Sequence, residues 1–229
     1  MNFSFLDKYL PYFVSGTGIT IIISIVTVVL GTLIGLVMAL MKLSKNKPLN
    51  WIANIYIEIL RGTPMLLQIM IGFLLLQGFF PSKSVELGVL TVDLGRLFPG
   101  MIVLSLNSGA YVAEIIRGGI MAINYGQTEA SYSLGLRPAQ TMRYVILPQA
   151  LRNILPPLGN EFITLIKDSS LLTAIGINEL MGAAQIVISN SYIPLEPYFV
   201  AAGVYFVMTF VTSRLLNLWE KKLGKGYQR

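Results

Sequence analysis

Long apolar runs, rather than short alternations, organise this chain. No charged residue occurs between Tyr9 and Met41, and Ile19 to Met41 is almost purely aliphatic. A helix needs about 20 such residues to cross a membrane, so the run predicts a first span. It is too long for the apolar part of a signal peptide, and Asp7 with Lys8 makes a poor basic leader. Trp51 to about Gln77 predicts a second span, with Glu58 and Arg61 inside it. A third runs from about Leu97 to Ile116. A fourth, from about Leu151 to Gly176, is interrupted by Glu161, Lys167 and Asp168, and a fifth runs from about Pro197 to Leu218. Met181 to Leu195 is charge-free but rich in Asn, Ser and Pro. It reads as an outer-surface loop with a short helix, and its length and polarity argue against the alternative of a sixth span.

Composition supports the spans. Of the 229 residues 54% are hydrophobic and 12% charged, half the charged share of a soluble domain, and the mean hydropathy is +0.68. A disordered chain, a disulfide scaffold and an ordinary cytosolic enzyme are excluded. The fold class expected is all-α: a polytopic membrane protein of five transmembrane helices, one domain over 1–229, with no internal repeat. Cys and His are both absent. That removes disulfides, thiolate metal sites, the commonest metal ligand and the usual acid–base residue near neutral pH, so neither catalytic residues nor a metal site are expected.

The net charge of +6 reads as loop topology rather than nucleic-acid binding. Lys42, Lys45 and Lys47 follow the first span; Arg117, Arg137, Arg143 and Arg152 lie between the third and fourth; Arg214, Lys221, Lys222, Lys225 and Arg229 follow the fifth. The other side carries Lys8, Lys83 and Arg96. Positive residues favour the cytoplasm, which predicts an outside N-terminus and a cytoplasmic C-terminus. Trp51 and Trp219 fall at predicted cytoplasmic ends, where indoles favour the headgroup region.

The longest cytoplasmic segment, about 118–150, is not composed like a passive linker. Thr128 to Leu134 is helix-compatible, Gly135 can end that helix, and Pro138 can open the next. Met142, Val145, Ile146 and Leu147 supply an apolar face, and Pro148 is expected to close it. Two short helices at the inner membrane surface follow, one exposing Glu129. They serve either as an amphipathic cover of the bundle or as a docking surface.

Glu129-Ala130, Gly135 and Val145-Ile146-Leu147-Pro148 resemble the cytoplasmic signature of ABC-importer permease subunits, with Ser131 and Val145 as mild departures. Glu58 to Pro64, Ala110 to Ile120, Gly126-Gln127, Leu147 to Ala150 and Lys167 to Leu171 are similar to the polar amino-acid branch of that family. The resemblance covers roughly 56–180. It implies a five-span permease in a prokaryotic inner membrane that pairs with a second permease copy and sits on two ATP-binding subunits. It also implies an extracytoplasmic binding protein and an amino-acid substrate. Glu129, Ala130, Ser131, Leu134 and Gly135 would then form the surface that meets the ATPase. ATP and Mg would belong to that partner: the chain has no Gly-x4-Gly-Lys-Ser/Thr loop, and no cofactor is expected in it.

Ionisable residues at membrane depth are costly and read as functional. At about 1.5 Å of rise per residue, Arg61, Asn107 and Glu161, each ten residues into a span, lie near the midplane. Pro64 lacks an N–H and disfavours helix at Thr63, so the second span should break there. The half-helix start so exposed suits a carboxylate. The expected site holds a substrate carboxylate with Arg61, Gly62 and Thr63, and an ammonium or cationic side chain with Glu161. Thr164 and Asp168 lie on the stripe of Glu161, and Asn160, Asn107, Ser108 and Tyr111 could add hydrogen bonds. Surplus acidic residues tilt the substrate toward arginine, lysine or histidine. Structural alternatives stand beside this: Glu58 with Arg61 and Glu114 with Arg117 are each three apart and could neutralise one another, Lys167-Asp168 could pack or gate, and Gly31 and Gly35 suit helix packing. A secondary transporter or channel driven by an ion gradient is the rival function, although no inverted repeat supports it. An intramembrane hydrolase and a purely structural subunit fit the residues less well.

Overall fold

The structure, a computed structural model, describes residues 3–224, with side chains described as far as Lys221. Lys225 and Arg229 of the basic C-terminal group therefore lie outside the described residues. Helix α1, Leu6–Leu43, carries the first apolar run and is followed by α2, Lys47–Gly62, and α3, Met65–Leu76. An antiparallel hairpin, β1 Ser84–Leu87 and β2 Leu90–Asp93, precedes α4, Leu94–Met121. Two short helices, α5 Tyr125–Ser133 and α6 Pro138–Thr141, lead into α7, Leu147–Asp168. A 3₁₀ segment, Ser169–Ile175, then α8, Leu180–Ser191, and α9, Glu196–Gly224, complete the chain.

Three of these helices, α1, α4 and α9, are long and apolar enough to cross a membrane as single pieces. The other two expected spans are bent pairs: α2 and α3 meet at 112°, and the α6–α7 stretch meets α8 at 48°. The chain is thus five spans when each bent pair counts as one. Helix α8 has 12 residues, about 18 Å, which is too short for a sixth. It is the short helix expected there, but it does not lie at the surface: Leu180, Ala184 and Val187 are buried with residues of α1 and α9.

Burial is inverted relative to a soluble bundle. On α1 the aliphatic Val14, Ile22, Val29, Leu33 and Val37 face outward, while Thr20, Ser24 and Thr27 are fully buried. Lipid is as apolar as leucine, so small residues that permit close contact decide which face turns inward. Gly31 and Gly35 do so against α4: a Cβ at position 35 would lie 2.6 Å from Val112 Cβ and 2.9 Å from Gly109 O.

Two local features differ from expectation. Pro148 does not close the loop helix. A π-turn over Met142–Ile146, with Leu147 N–H bonded to Met142 O, carries α6 directly into α7. Its i→i+5 spacing absorbs the proline at the first turn of α7, where a missing N–H costs least. The hairpin was not expected in an all-α chain. Leu90 and Val92 of β2 are buried in the same core as α1 and α4.

The α1–α4 contact yields a first prediction. Gly35→Ala drives a methyl into the Val112 side chain and Gly109 O and should cost about 1–3 kcal/mol, seen as a lower thermal midpoint of the detergent-purified protein. Gly18→Ala, with nothing within 4 Å of the new methyl, should leave that midpoint unchanged.

Candidate functional site

The break between α2 and α3 starts from one orphaned carbonyl. In an unbroken helix the N–H four residues on would serve Leu60 O, but that residue is Pro64. Two side chains substitute. Gln68 Nε2 lies 2.8 Å from Leu60 O, 2.7 Å from Thr63 Oγ1 and 3.0 Å from Thr63 O, sharing its hydrogens among them. Asn107 Nδ2, from α4, donates to Leu60 O at 3.0 Å and to Gln68 Oε1 at 2.9 Å. Thr63 Oγ1 donates to Ile59 O at 2.8 Å. The first backbone bond of α3 runs from Gln68 N–H to Pro64 O, so the N–H groups of Met65, Leu66 and Leu67 precede helical pairing.

Those groups open beside a cavity of about 350 Å³ lined by Thr63, Met65, Asn107, Tyr111, Asn160, Glu161, Thr164 and Asp168. Seven of the nine residues expected at a substrate site meet there. Glu161 is 9% exposed, and its side chain and that of Asp168 form an acidic wall from α7. No Lys or Arg is among the lining residues. Lys167, beside Asp168 in sequence, is exposed. Asn107 takes part with its amide nitrogen already committed to the break.

Arg61 and Gly62 are not among the lining residues. Arg61 stacks over the Tyr111 ring, with 5.2 Å from Cζ to the ring centre, and its Nη1 is 3.8 Å from Glu114 Oε2. The alternative pairing with Glu58 is not among the ion pairs of the described residues. Glu114 draws Arg61 because its carboxylate already gathers cations, with Lys42 Nζ at 2.7 Å and Arg117 Nη2 at 2.9 Å. The expected Glu114–Arg117 pair is therefore formed and extended to α1.

The second candidate surface is α5. Asn124 caps its start through Gly126 N–H at 2.8 Å. At its end Gly135 has φ +81°, Gly135 N–H bonds to Tyr132 O at 2.9 Å and Leu136 N–H to Ser131 O at 3.1 Å. This pair of bonds is a Schellman motif, whose left-handed position favours glycine. Glu129, Ala130, Leu134 and Gly135 are exposed, and Leu134 reaches 82%. Ser131 is not on that surface. It is buried, bonded to Thr128 O at 2.8 Å and to Thr141 Oγ1 at 3.1 Å. A serine on a short polar helix gives no sign in sequence of which face it takes.

Two contributors had little sequence signal. Gln68 sits in an apolar run, four residues after a helix-breaking proline, and that spacing is the clue to its role. Glu179 is fully buried and accepts hydrogen bonds from several elements, yet in sequence it is a lone acid in a loop.

Comparison with known proteins agrees with this architecture. Residues 31–225 match the family described as binding-protein-dependent transport system inner membrane component. A Rickettsia felis protein assigned to glutamine transport, the permease GlnP, is 38% identical over 224 residues, 96% of this chain and 98% of that protein. The arginine transport system permease protein ArtQ of Bacillus subtilis is 37% identical over 226 residues, 97% of each. A crystal structure of an amino acid ABC transporter with histidines matches with a TM-score of 0.86 at 44% identity, covering 97% of this chain and all of that one.

The break itself is testable. Gln68→Leu leaves Asn107 as the one side chain on Leu60 O and should cost about 1–3 kcal/mol, seen as a lower thermal midpoint of the purified protein. An unchanged midpoint would show the break to be held by other means. The chain belongs to the family of ABC-importer permeases, in its amino-acid-transporting group; it is a transport component of a membrane complex rather than an enzyme, and an ion-gradient carrier is set aside.

Proposed function

We propose that this chain is the permease of an importer for basic amino acids (arginine, lysine or histidine) and that the cavity is its substrate site. The observation that carries the reading is the acidic wall. Glu161 and Asp168 line a small cavity that has no basic side chain in its lining. Buried acidic groups need a partner, and a ligand with an ammonium group and a cationic side chain supplies two. The opposite wall suits the ligand's carboxylate. Helix starts attract anions, and the N–H groups of Met65 to Leu67 have no helical acceptors. Arg61, behind Tyr111, adds positive potential from the rear rather than a direct clamp. A volume of about 350 Å³ is at the small end of ligand sites, in keeping with one amino acid. The kinship to an arginine permease favours this reading, and kinship to a glutamine-transport permease marks its rival.

The orientation follows the charge pattern, with the hairpin and α8 outside and α5 in the cytoplasm of a prokaryotic cell. Two permease copies sit on two ATP-binding subunits, and ATP and Mg are bound there. A binding protein delivers the amino acid from outside. The exposed residues Glu129, Ala130, Leu134 and Gly135 of the α5 end meet the ATPase. Small residues at 130 and 135 allow a close fit, and Leu134 provides an apolar anchor.

Two experiments test this. In proteoliposomes holding the permease, its ATPase and its binding protein, labelled arginine should accumulate with ATP, and Glu161→Gln should reduce the rate at least tenfold. Accumulation of glutamine with no arginine uptake would discard the acidic-wall assignment. For the docking surface, Leu134→Glu should lower ATPase co-purification severalfold while membrane insertion stays normal. This change avoids position 135, where any side chain strains the left-handed backbone.

A further inference from the structure

Glu179 is 0% exposed and receives five neutral donors. Thr173 Oγ1 at 2.7 Å, Met181 N–H at 2.9 Å and Gly182 N–H at 3.0 Å approach Oε1. The Tyr205 hydroxyl at 2.5 Å and Thr20 Oγ1 at 3.2 Å approach Oε2. Capping the start of α8 accounts for the two backbone donors alone. The three hydroxyls come from α1, the 3₁₀ segment and α9, and a helix cap has no need of them. Together they fill the acceptor capacity of a carboxyl group. Helix α8 also begins directly on α1, where a Cβ at Gly16 would lie 2.9 Å from Leu180 Cα.

The 3₁₀ segment gives this junction a consequence for the cavity. It starts at Ser169, immediately after Asp168, the last cavity residue of α7. Thr173, five residues after Asp168, bonds through its side chain to Glu179. The far end of the turn is held by Leu172 and Ile175 in the core and by Arg96, whose Nη1 lies 3.4 Å from Ile175 O. We infer that Glu179 is a positioning residue of the transport site: through Thr173 it fixes the turn that sets Asp168 in the cavity wall, and through Thr20, Tyr205 and α8 it locks that turn to α1 and α9. The inference rests on the cavity being the amino-acid site.

The test uses the purified permease–ATPase complex, without binding protein, and labelled arginine as the probe. The chain has no cysteine, so a Ser170→Cys background reports the turn directly through its rate of labelling by a thiol reagent. Glu179→Ala should raise the arginine Kd at least tenfold and speed labelling at position 170 severalfold, with the ATPase still co-purifying. Glu179→Gln should stay within twofold of wild type in both, because the Thr20 and Tyr205 hydroxyls can turn to accept from the new amide. Should Glu179→Ala fail to assemble, Tyr205→Phe removes one donor and should give a two- to fivefold change in the same direction. Asp168→Asn separates the two claims. If it weakens arginine binding while Glu179→Ala and Tyr205→Phe change neither Kd nor labelling, the positioning role is overturned and the cavity stands. If Glu179→Ala speeds labelling but neither it nor Asp168→Asn alters arginine binding, the cavity reading fails. Damage by Glu179→Gln equal to that of Glu179→Ala would also overturn the proposal, since a hydrogen-bonding junction tolerates the amide.

Discussion

The carbonyl of Leu60 governs the site. Inside a bilayer an unpaired backbone group costs several kcal/mol, and broken helices survive only where something else pairs it. Here the substitutes come from the next half-helix and from a neighbouring helix, Gln68 and Asn107. Because they belong to α3 and α4, satisfying one acceptor also joins α2, α3 and α4 at one point. The 112° bend is thereby held, and Thr63 and Met65 on either side of it line the cavity. The proline creates a defect, and the two amides repair its acceptor side, leaving the first N–H groups of α3 without helical partners.

The membrane-depth charges divide into two groups by the same logic. Glu114 has its cations, Lys42 and Arg117 closely and Arg61 at longer range, and so is neutralised within the protein. Glu161 and Asp168 have no basic side chain in the cavity lining; Lys167, next to Asp168, is exposed. Sequence placed Arg61, Glu161 and Asp168 within spans and Lys42 and Arg117 on the cytoplasmic side, but could not show that Arg61, beside Thr63 in sequence, reaches across to Glu114 on another helix. The sorting leaves a cavity whose charged lining residues are of one sign.

Much of the fold was legible in the apolar runs, because span length is fixed by bilayer thickness rather than by packing. The break at Thr63-Pro64 was legible because proline chemistry is local, and the stripe of Glu161, Thr164 and Asp168 because helical periodicity is. What escaped depends on partners distant in sequence. Glu179 bonds to Thr20, 159 residues away, and Tyr205 reaches it from α9. The Asn and Ser of α8 suggest an outer-surface loop with a short helix; the helix is there, but Gly16 of α1 lets Leu180 and Ala183 approach closely and buries it. The hairpin's signal, Gly88 between alternating Val85, Leu87, Leu90 and Val92, is short beside the long apolar runs that flank it.

The continuity of α7 with the loop bears on coupling. With Pro148 closing a helix, α5 and the cavity would be joined by slack chain. Instead the π-turn passes the helix through, and Asn160, Glu161, Thr164 and Asp168 ride on the piece that begins at Leu147. Helix α5 is tied to the same piece by Ser131, whose hydroxyl meets Thr141 on α6. A displacement of α5 by a docked partner would thus act on α7 as a lever, and on one wall of the cavity rather than both. The opposite wall hangs from Asn107 on α4, and the Glu114 cluster binds α4 to α1. A movement of α7 would then shift the acidic wall relative to the start of α3, while α4 holds the other side of the cavity in place.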